Sequence, residues 1–124
     1  RAIPSPSARA IRATQRPERR APAFAAALRA AIRVRRRVAF GYTDRGGRPS
    51  ERTVRPLAVA AFSDGWLLVA WCEARTAFRV FRLDRMTDPR TGERFEEEAG
   101  RTLADYLAQR GPDPHWRLRE LSPI

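Results

Sequence analysis

The sequence predicts a mainly β domain with flanking helices, in which a meander of at least four short strands forms a small barrel. Residues 38–42 alternate with period two, as the residues of a strand do. Residues 67–71 are apolar without interruption, so a strand there should be covered on both faces. The glycine-containing segments at 44–47 and 63–65 are typical of tight turns between strands.

An amphipathic helix is predicted before these strands. Prolines interrupt residues 1–22, which we interpret as a tail or linker. Residues 24–35 predict a helix, because Phe24, Leu28 and Ile32 recur on one face. The arginines of this segment fall on another face, and we interpret them as a solvated surface.

The strands are predicted at residues 38–43, 52–61, 66–72 and 78–83. Pro56 lacks a backbone N–H, so we expect it at a sheet edge or at a bulge. Beyond residue 86 the pattern weakens. There we predict a loop at 88–92, a helix at 102–109 with Leu103, Tyr106 and Leu107 on one face, and a short final strand at 116–121.

The charge of the chain points to an anionic partner. The formal net charge is +11, and all 25 basic residues are arginines. Nucleic acid comes first among such partners, because the planar guanidinium group binds phosphate through two prongs and stacks on bases. The alternative is an arginine-biased but merely solvated surface.

Several classes of site are not expected. Cys72 and His115 are each single in the chain, so neither an intramolecular disulfide nor a conventional zinc site is expected. We find no nucleophile set, paired carboxylates or phosphate loop, so we expect neither an enzyme nor a cofactor. No segment is apolar enough to cross a membrane. A cytoplasmic location fits this composition.

The stretch GWLLVAWCEARTAFRVFRLDRM, from Gly65 to Met86, resembles the WYL domain of bacterial transcriptional regulators. Trp66-Leu67-Leu68 stands where that family has its Trp-Tyr-Leu triplet. Upstream, LRAAIRVRRRVAFGYTDRGGRPSERTVRPLAV is similar to the start of the same domain, and residues 101–107 resemble its C-terminal extension. This resemblance divides the chain into a linker or tail at 1–22, a WYL-like domain at 23–86 and a C-terminal extension at 87–124.

The resemblance implies an SH3/Sm-like β-barrel that senses a ligand for a regulator. Single-stranded DNA or a nucleotide-like anion is the ligand that it implies. Duplex DNA would be bound only through an N-terminal winged helix-turn-helix domain, for which this chain shows no convincing pattern. A homodimer is possible for such a regulator.

Candidate ligand-binding residues lie in and around the fourth predicted strand. They are Tyr42, Arg75, Arg79, Arg82 and Arg85. Alternation places Arg79 beside Phe81, so it either contacts a ligand at a barrel mouth or pairs with an acid such as Asp84 or Glu73. The ligand interpretation follows from the resemblance, which implicates the matching arginines.

Two further alternatives stay open. Tyr42 either stacks on a base or lies in the core with its hydroxyl satisfied, because it alternates with Phe40. The whole domain is either a ligand sensor or an interaction and dimerisation module. The helix face of Leu103 and Leu107 and the acidic run at 96–98 favour the module.

Overall fold

The computed structural model describes residues 22–62 and 65–110, and the side chain of Phe62 is not described. The predicted tail up to residue 21, most of the turn at 63–65, His115 and the predicted strand at 116–121 lie outside these ranges. Two helices and five strands follow one another: α1 Ala25–Val34, β1 Arg36–Thr43, β2 Pro49–Phe62, β3 Gly65–Cys72, β4 Ala77–Arg82, β5 Met86–Arg94 and α2 Leu103–Arg110. A 3-10 helix, Leu83–Arg85, joins β4 to β5.

The strands form one five-stranded antiparallel sheet in the order β4-β3-β2-β1-β5. The mainly β architecture is thus confirmed, but closure into a barrel is not, because β4 and β5 remain edge strands. The sheet nevertheless curls strongly. The Arg82 backbone N–H, at the end of β4, donates a hydrogen bond of 3.0 Å to the Tyr42 hydroxyl of β1. The ring centroids of Tyr42 and Phe81 are 5.0 Å apart across the same concave side.

The loop predicted at residues 88–92 is wrong, because these residues belong to β5, which pairs with β1. Most of β5 is exposed, so it carries no alternating apolar pattern that a sequence could reveal. Pro89 is tolerated because β5 is an edge strand. Backbone pairing with the buried strand β1, rather than burial of its own side chains, holds this segment in the sheet.

Two hydrophobic clusters cover the two faces of β3, as the run at 67–71 predicts. On the concave side, Leu68 is fully buried with Phe40 and Phe81 under the apolar face of α1. The second cluster lies on the convex side, where α2 packs against the sheet. It includes Leu67, Val69, Val80, Leu103 and Tyr106. Helix α2 therefore covers the convex part of the core.

Local chemistry explains the turn and the irregularity of β2. The Asp44 side chain accepts hydrogen bonds from the N–H groups of Gly46 (2.8 Å) and Arg48 (2.9 Å). Gly47 adopts a φ of +84°, which glycine reaches without steric cost. The register between β2 and β3 shifts between Pro56 and Ala58, which confirms the bulge expected at Pro56.

Candidate functional site

Two groups of described arginines differ in their partners. One group is paired with carboxylates: Arg35, Arg37, Arg55, Arg82, Arg90 and Arg101. Four others near β4 form no ion pair with any described residue, and we call them the unpaired arginine group: Arg52, Arg75, Arg79 and Arg85. Three of these four are residues that the sequence predicts for the site.

Arg79 is the member of this group with a buried donor atom that no described residue satisfies. It lies opposite Ala70 in the β3–β4 register and two residues before Phe81, so its side chain starts from the concave face. Its Nε atom is buried and has no hydrogen-bond partner among the described residues. A buried donor that stays unpaired is costly, and a ligand oxygen would satisfy it.

The acids proposed as structural partners of Arg79 bind other arginines. Asp84 accepts two hydrogen bonds from Arg82, at 3.1 and 2.8 Å. Glu73 accepts from Arg37 at 2.6 Å and from Arg55 at 3.0 Å. The ion-pair alternative for Arg79 therefore has no support among the residues that were named for it.

Arg52 belongs to the same concave face, although its sequence position did not single it out. It lies opposite Phe40 in the β1–β2 register. Its guanidinium carbon is 5.7 Å from the ring centroid of Phe81, and its Nε donates to Ser50 Oγ at 3.0 Å. The alternation of Arg52 with buried Val54 was a signal, but it became informative only once the fold brought the Arg52 guanidinium group against Phe81.

Arg75 and Arg85 lie at the two ends of β4. Arg75 is exposed in the turn that joins β3 to β4, and this turn begins beside Arg52, because the Glu73 N–H donates to the Thr53 carbonyl at 3.3 Å. Arg85 ends the 3-10 helix and is half-buried. Hydrogen bonds from the Arg48 and Gly46 N–H groups lower the pKa of Asp44, and the positive charges of Arg48 and Arg85 contribute further.

Arg82 and Tyr42 differ from the other predicted site residues. Arg82 alternates away from Arg79 and is engaged by Asp84. Tyr42 is only 1% exposed, so its ring has no face open to a base. Burial raises the pKa of its hydroxyl, which accepts the Arg82 N–H. Tyr42 is therefore a core residue with a satisfied hydroxyl, as the core alternative has it. Its ring packs against Phe81, the ring that Arg52 contacts.

Within residues 22–62 and 65–110, no group of three or more His, Cys, Asp or Glu side chains is placed to hold a metal ion. None of the helices in those ranges combines the length and the apolar character that crossing a bilayer requires.

Comparison with known proteins agrees with the predicted resemblance. One similar solved structure is proteasome accessory factor B/C (PafBC) of Arthrobacter aurescens, with 31% sequence identity and a TM-score of 0.49 over 53% of this chain. The matched part spans 10% of that longer chain. The sequence profile of the WYL domain matches residues 23–91, which is more than half of the 124 residues. The chain therefore belongs to the WYL-domain family.

Proposed function

We propose that this chain is the ligand-sensing regulatory domain of a bacterial DNA-binding transcriptional regulator. It binds single-stranded nucleic acid, or a related anion, through the unpaired arginine group. The observation that carries this proposal is the buried Nε of Arg79, which lacks a hydrogen-bond partner among the described residues on a face that also holds Arg52. We assign no catalytic step to the chain, and a regulator of this kind acts in the cytoplasm.

A single strand fits this site better than a duplex does. The phosphates of a flexible strand can follow arginines that are distributed over a curved sheet, and its unpaired bases can stack on guanidinium planes. Reading a duplex instead requires an element that enters the major groove. We assign duplex binding to an N-terminal winged helix-turn-helix domain of the regulator.

We also propose that the sheet is a partly open SH3/Sm-like barrel. A 3-10 helix between β4 and β5 and the return of β5 to pair with β1 support this assignment. The contact between Tyr42 of β1 and Phe81 of β4 brings strands that are not neighbours in the sheet together across the interior.

Fluorescence anisotropy with a labelled single-stranded oligonucleotide tests the ligand. If the four arginines of the group each neutralise about one phosphate, log K should fall with log salt with a slope of about −3. Arg79→Gln should lower the affinity by roughly tenfold or more, because a charge-assisted hydrogen bond contributes about 1.5–3 kcal/mol.

Arg90→Gln is the matched control. It removes the same charge from β5, where Arg90 is already paired with Asp88 and Glu51. It should change the affinity less than twofold. Equal losses in the two variants would mean diffuse charge attraction, and no binding at low salt would exclude the single strand as the ligand.

Most of the features that favoured a dimerisation module are used within the chain itself. Leu103 and Tyr106 pack against the sheet of the same chain, and Leu107 is 48% exposed. Glu97 and Glu98 of the acidic run bind arginines of the same chain. Sedimentation of the chain at high concentration tests whether a homodimer forms.

A further inference from the structure

A cleft of about 160 Å³ lies where the last turn of α1, the bulge of β2 and the start of α2 meet. It is separate from the unpaired arginine group. Arg55, which lines the cleft, and Arg52 are three positions apart on β2, so their side chains start from opposite faces of the sheet. The segment that joins β5 to α2 closes the remaining side with Phe95, Glu97 and Glu98.

The lining of this cleft carries more positive than negative charge. Four arginines from three parts of the chain line it: Arg33, Arg35, Arg55 and Arg101. Two carboxylates line the cleft with them, and a third, Glu73, contacts Arg55 from outside the lining. Arg33 forms no ion pair with a described residue. Ile32, Leu57 and Leu103 supply an apolar wall. The cleft therefore combines a cationic side with an apolar side, as a site for a small organic anion does.

The two carboxylates of the cleft differ in how firmly they are held. Glu97 contacts Arg35 at 3.4 Å, and both side chains are more than half exposed. Glu98 bonds Arg55 at 2.7 Å and Arg101 at 3.3 Å, although its own side chain is 48% exposed. Arg55 stays in place without Glu98, because Glu73 and the ring of Phe95 also hold its guanidinium group. The exposed Glu97–Arg35 pair exchanges readily for another anion. Arg55 is only 8% exposed, so a ligand that replaces Glu98 must supply an anionic group of at least the same charge, as a phosphate does.

We propose that this cleft is a second anion site, which takes a small phosphorylated molecule, and that Glu98 occupies the position of the phosphate until the ligand displaces it. The volume of the cleft is below the range of about 300–1,000 Å³ that accommodates drug-sized ligands. The cleft therefore favours a small phosphorylated molecule over a nucleic-acid strand. Glu97 and Glu98 precede α2, so their displacement would also free the connection to this helix.

An NMR titration of the 124-residue chain with sodium phosphate tests the site, with sodium chloride at matched ionic strength as the reference. Phosphate, and not chloride, should shift the backbone amides of Leu57, Phe95 and Arg101. The double variant R33Q/R35Q should weaken this binding at least tenfold, and both of these residues are exposed, so the fold should persist. Glu98→Gln should strengthen the binding several-fold, because it removes the competing carboxylate.

Arg90→Gln is the matched control, since it removes the same charge from β5, outside both the cleft lining and the unpaired arginine group, and should leave phosphate binding unchanged. Shifts spread over all surface arginines, or the same affinity in R33Q/R35Q, would overturn the proposal. A single-stranded oligonucleotide forms the last arm of the experiment. If the oligonucleotide shifts the cleft amides and inorganic phosphate does not, the cleft binds nucleic acid and not a small phosphate, and the proposed second site is wrong. If the oligonucleotide does not bind but inorganic phosphate still binds the cleft, only the proposed function is contradicted.

Discussion

Two polar side chains on the concave side of the sheet differ in how their buried atoms are satisfied. The Tyr42 hydroxyl accepts the Arg82 N–H, whereas Arg79 Nε has no partner among the described residues. The first arrangement stabilises the fold, and the second leaves a donor for a ligand. A buried donor without a partner destabilises the fold, and a ligand oxygen would satisfy it, so this donor is the strongest residue-level argument for binding.

Tyr42→Phe separates these two roles. We expect it to lower the free energy of unfolding by about 1–3 kcal/mol, because the Arg82 N–H loses its acceptor. Chemical denaturation measures this loss. The affinity for a single strand should stay within twofold of the wild type, since the ring has no exposed face. A large loss of affinity in a folded variant would return Tyr42 to the binding site.

Glu73 should make stability depend on pH. Burial opposes its ionisation, but hydrogen bonds from Arg37 and Arg55 outweigh burial and lower the pKa of the carboxyl below its ordinary value of 4.5. Its contribution is therefore fully present above that value and is lost as the pH falls through the lower, folded-state pKa. Glu73→Gln should cost roughly 1.5–3 kcal/mol at pH 7. Denaturation curves from pH 7 to pH 3 should show the two proteins converging, and a constant difference would contradict this prediction.

At the scale of elements, the close approach of β5 to β1 depends on the absence of a side chain at Gly41. A Cβ there would lie 2.5 Å from Thr87 Oγ1, which is too close for any real contact. Gly41 pairs with Thr87 in the register of the two strands. Glycine is therefore required at this position by the neighbouring strand rather than by a turn.

Gly41→Ala should destabilise the domain by about 1–3 kcal/mol, as overpacking does. Thr87→Ala alone should have a small effect, because Thr87 is exposed. In the double variant, the removal of Oγ1 should restore most of the loss. A double-mutant cycle by chemical denaturation measures this coupling, and strict additivity of the two changes would show that β5 does not lie as described.

For the whole molecule, α2 decides whether the convex face of the sheet is covered. The helix begins with a reciprocal cap, in which the Asp105 N–H donates to Thr102 Oγ1 at 3.1 Å and the Thr102 N–H donates to Asp105 Oδ2 at 3.1 Å. Tyr106, 5% exposed, then packs on Phe78 with ring centroids 5.4 Å apart. The cap fixes where the helix starts, and the ring fixes how it lies on the sheet.

Tyr106→Ala should cost about 3–5 kcal/mol, as the truncation of a buried aromatic residue does. Leu107→Ala is the matched control on the same helix and should change stability by less than about 0.5 kcal/mol, because Leu107 is largely exposed. Far-UV circular dichroism and tryptophan fluorescence should report one shared transition in the wild type. If Tyr106→Ala left that transition unchanged, α2 would not be part of the cooperative unit.

The failures of sequence reasoning have physical causes. The pattern of side chains revealed β1 and β3, because their burial follows the alternation and the apolar run. It missed β5, whose place in the sheet depends on backbone hydrogen bonds to β1. The pattern singled out Arg79 but not Arg52. Which residues of other strands share a face with a given residue depends on the register between the strands, and the sequence of a single strand does not specify that register.

The sequence by itself determined the family, the mainly β fold, the two helices and the excess of arginine, since these follow from local periodicity, turn chemistry and composition. Only the tertiary structure decided which arginines have partners. It assigned Asp84 to Arg82 and Glu73 to Arg37 and Arg55, and it left Arg79 unpaired beside Phe81. The reason is physical: an ion pair depends on distances between side chains that the chain brings together only when the sheet curls.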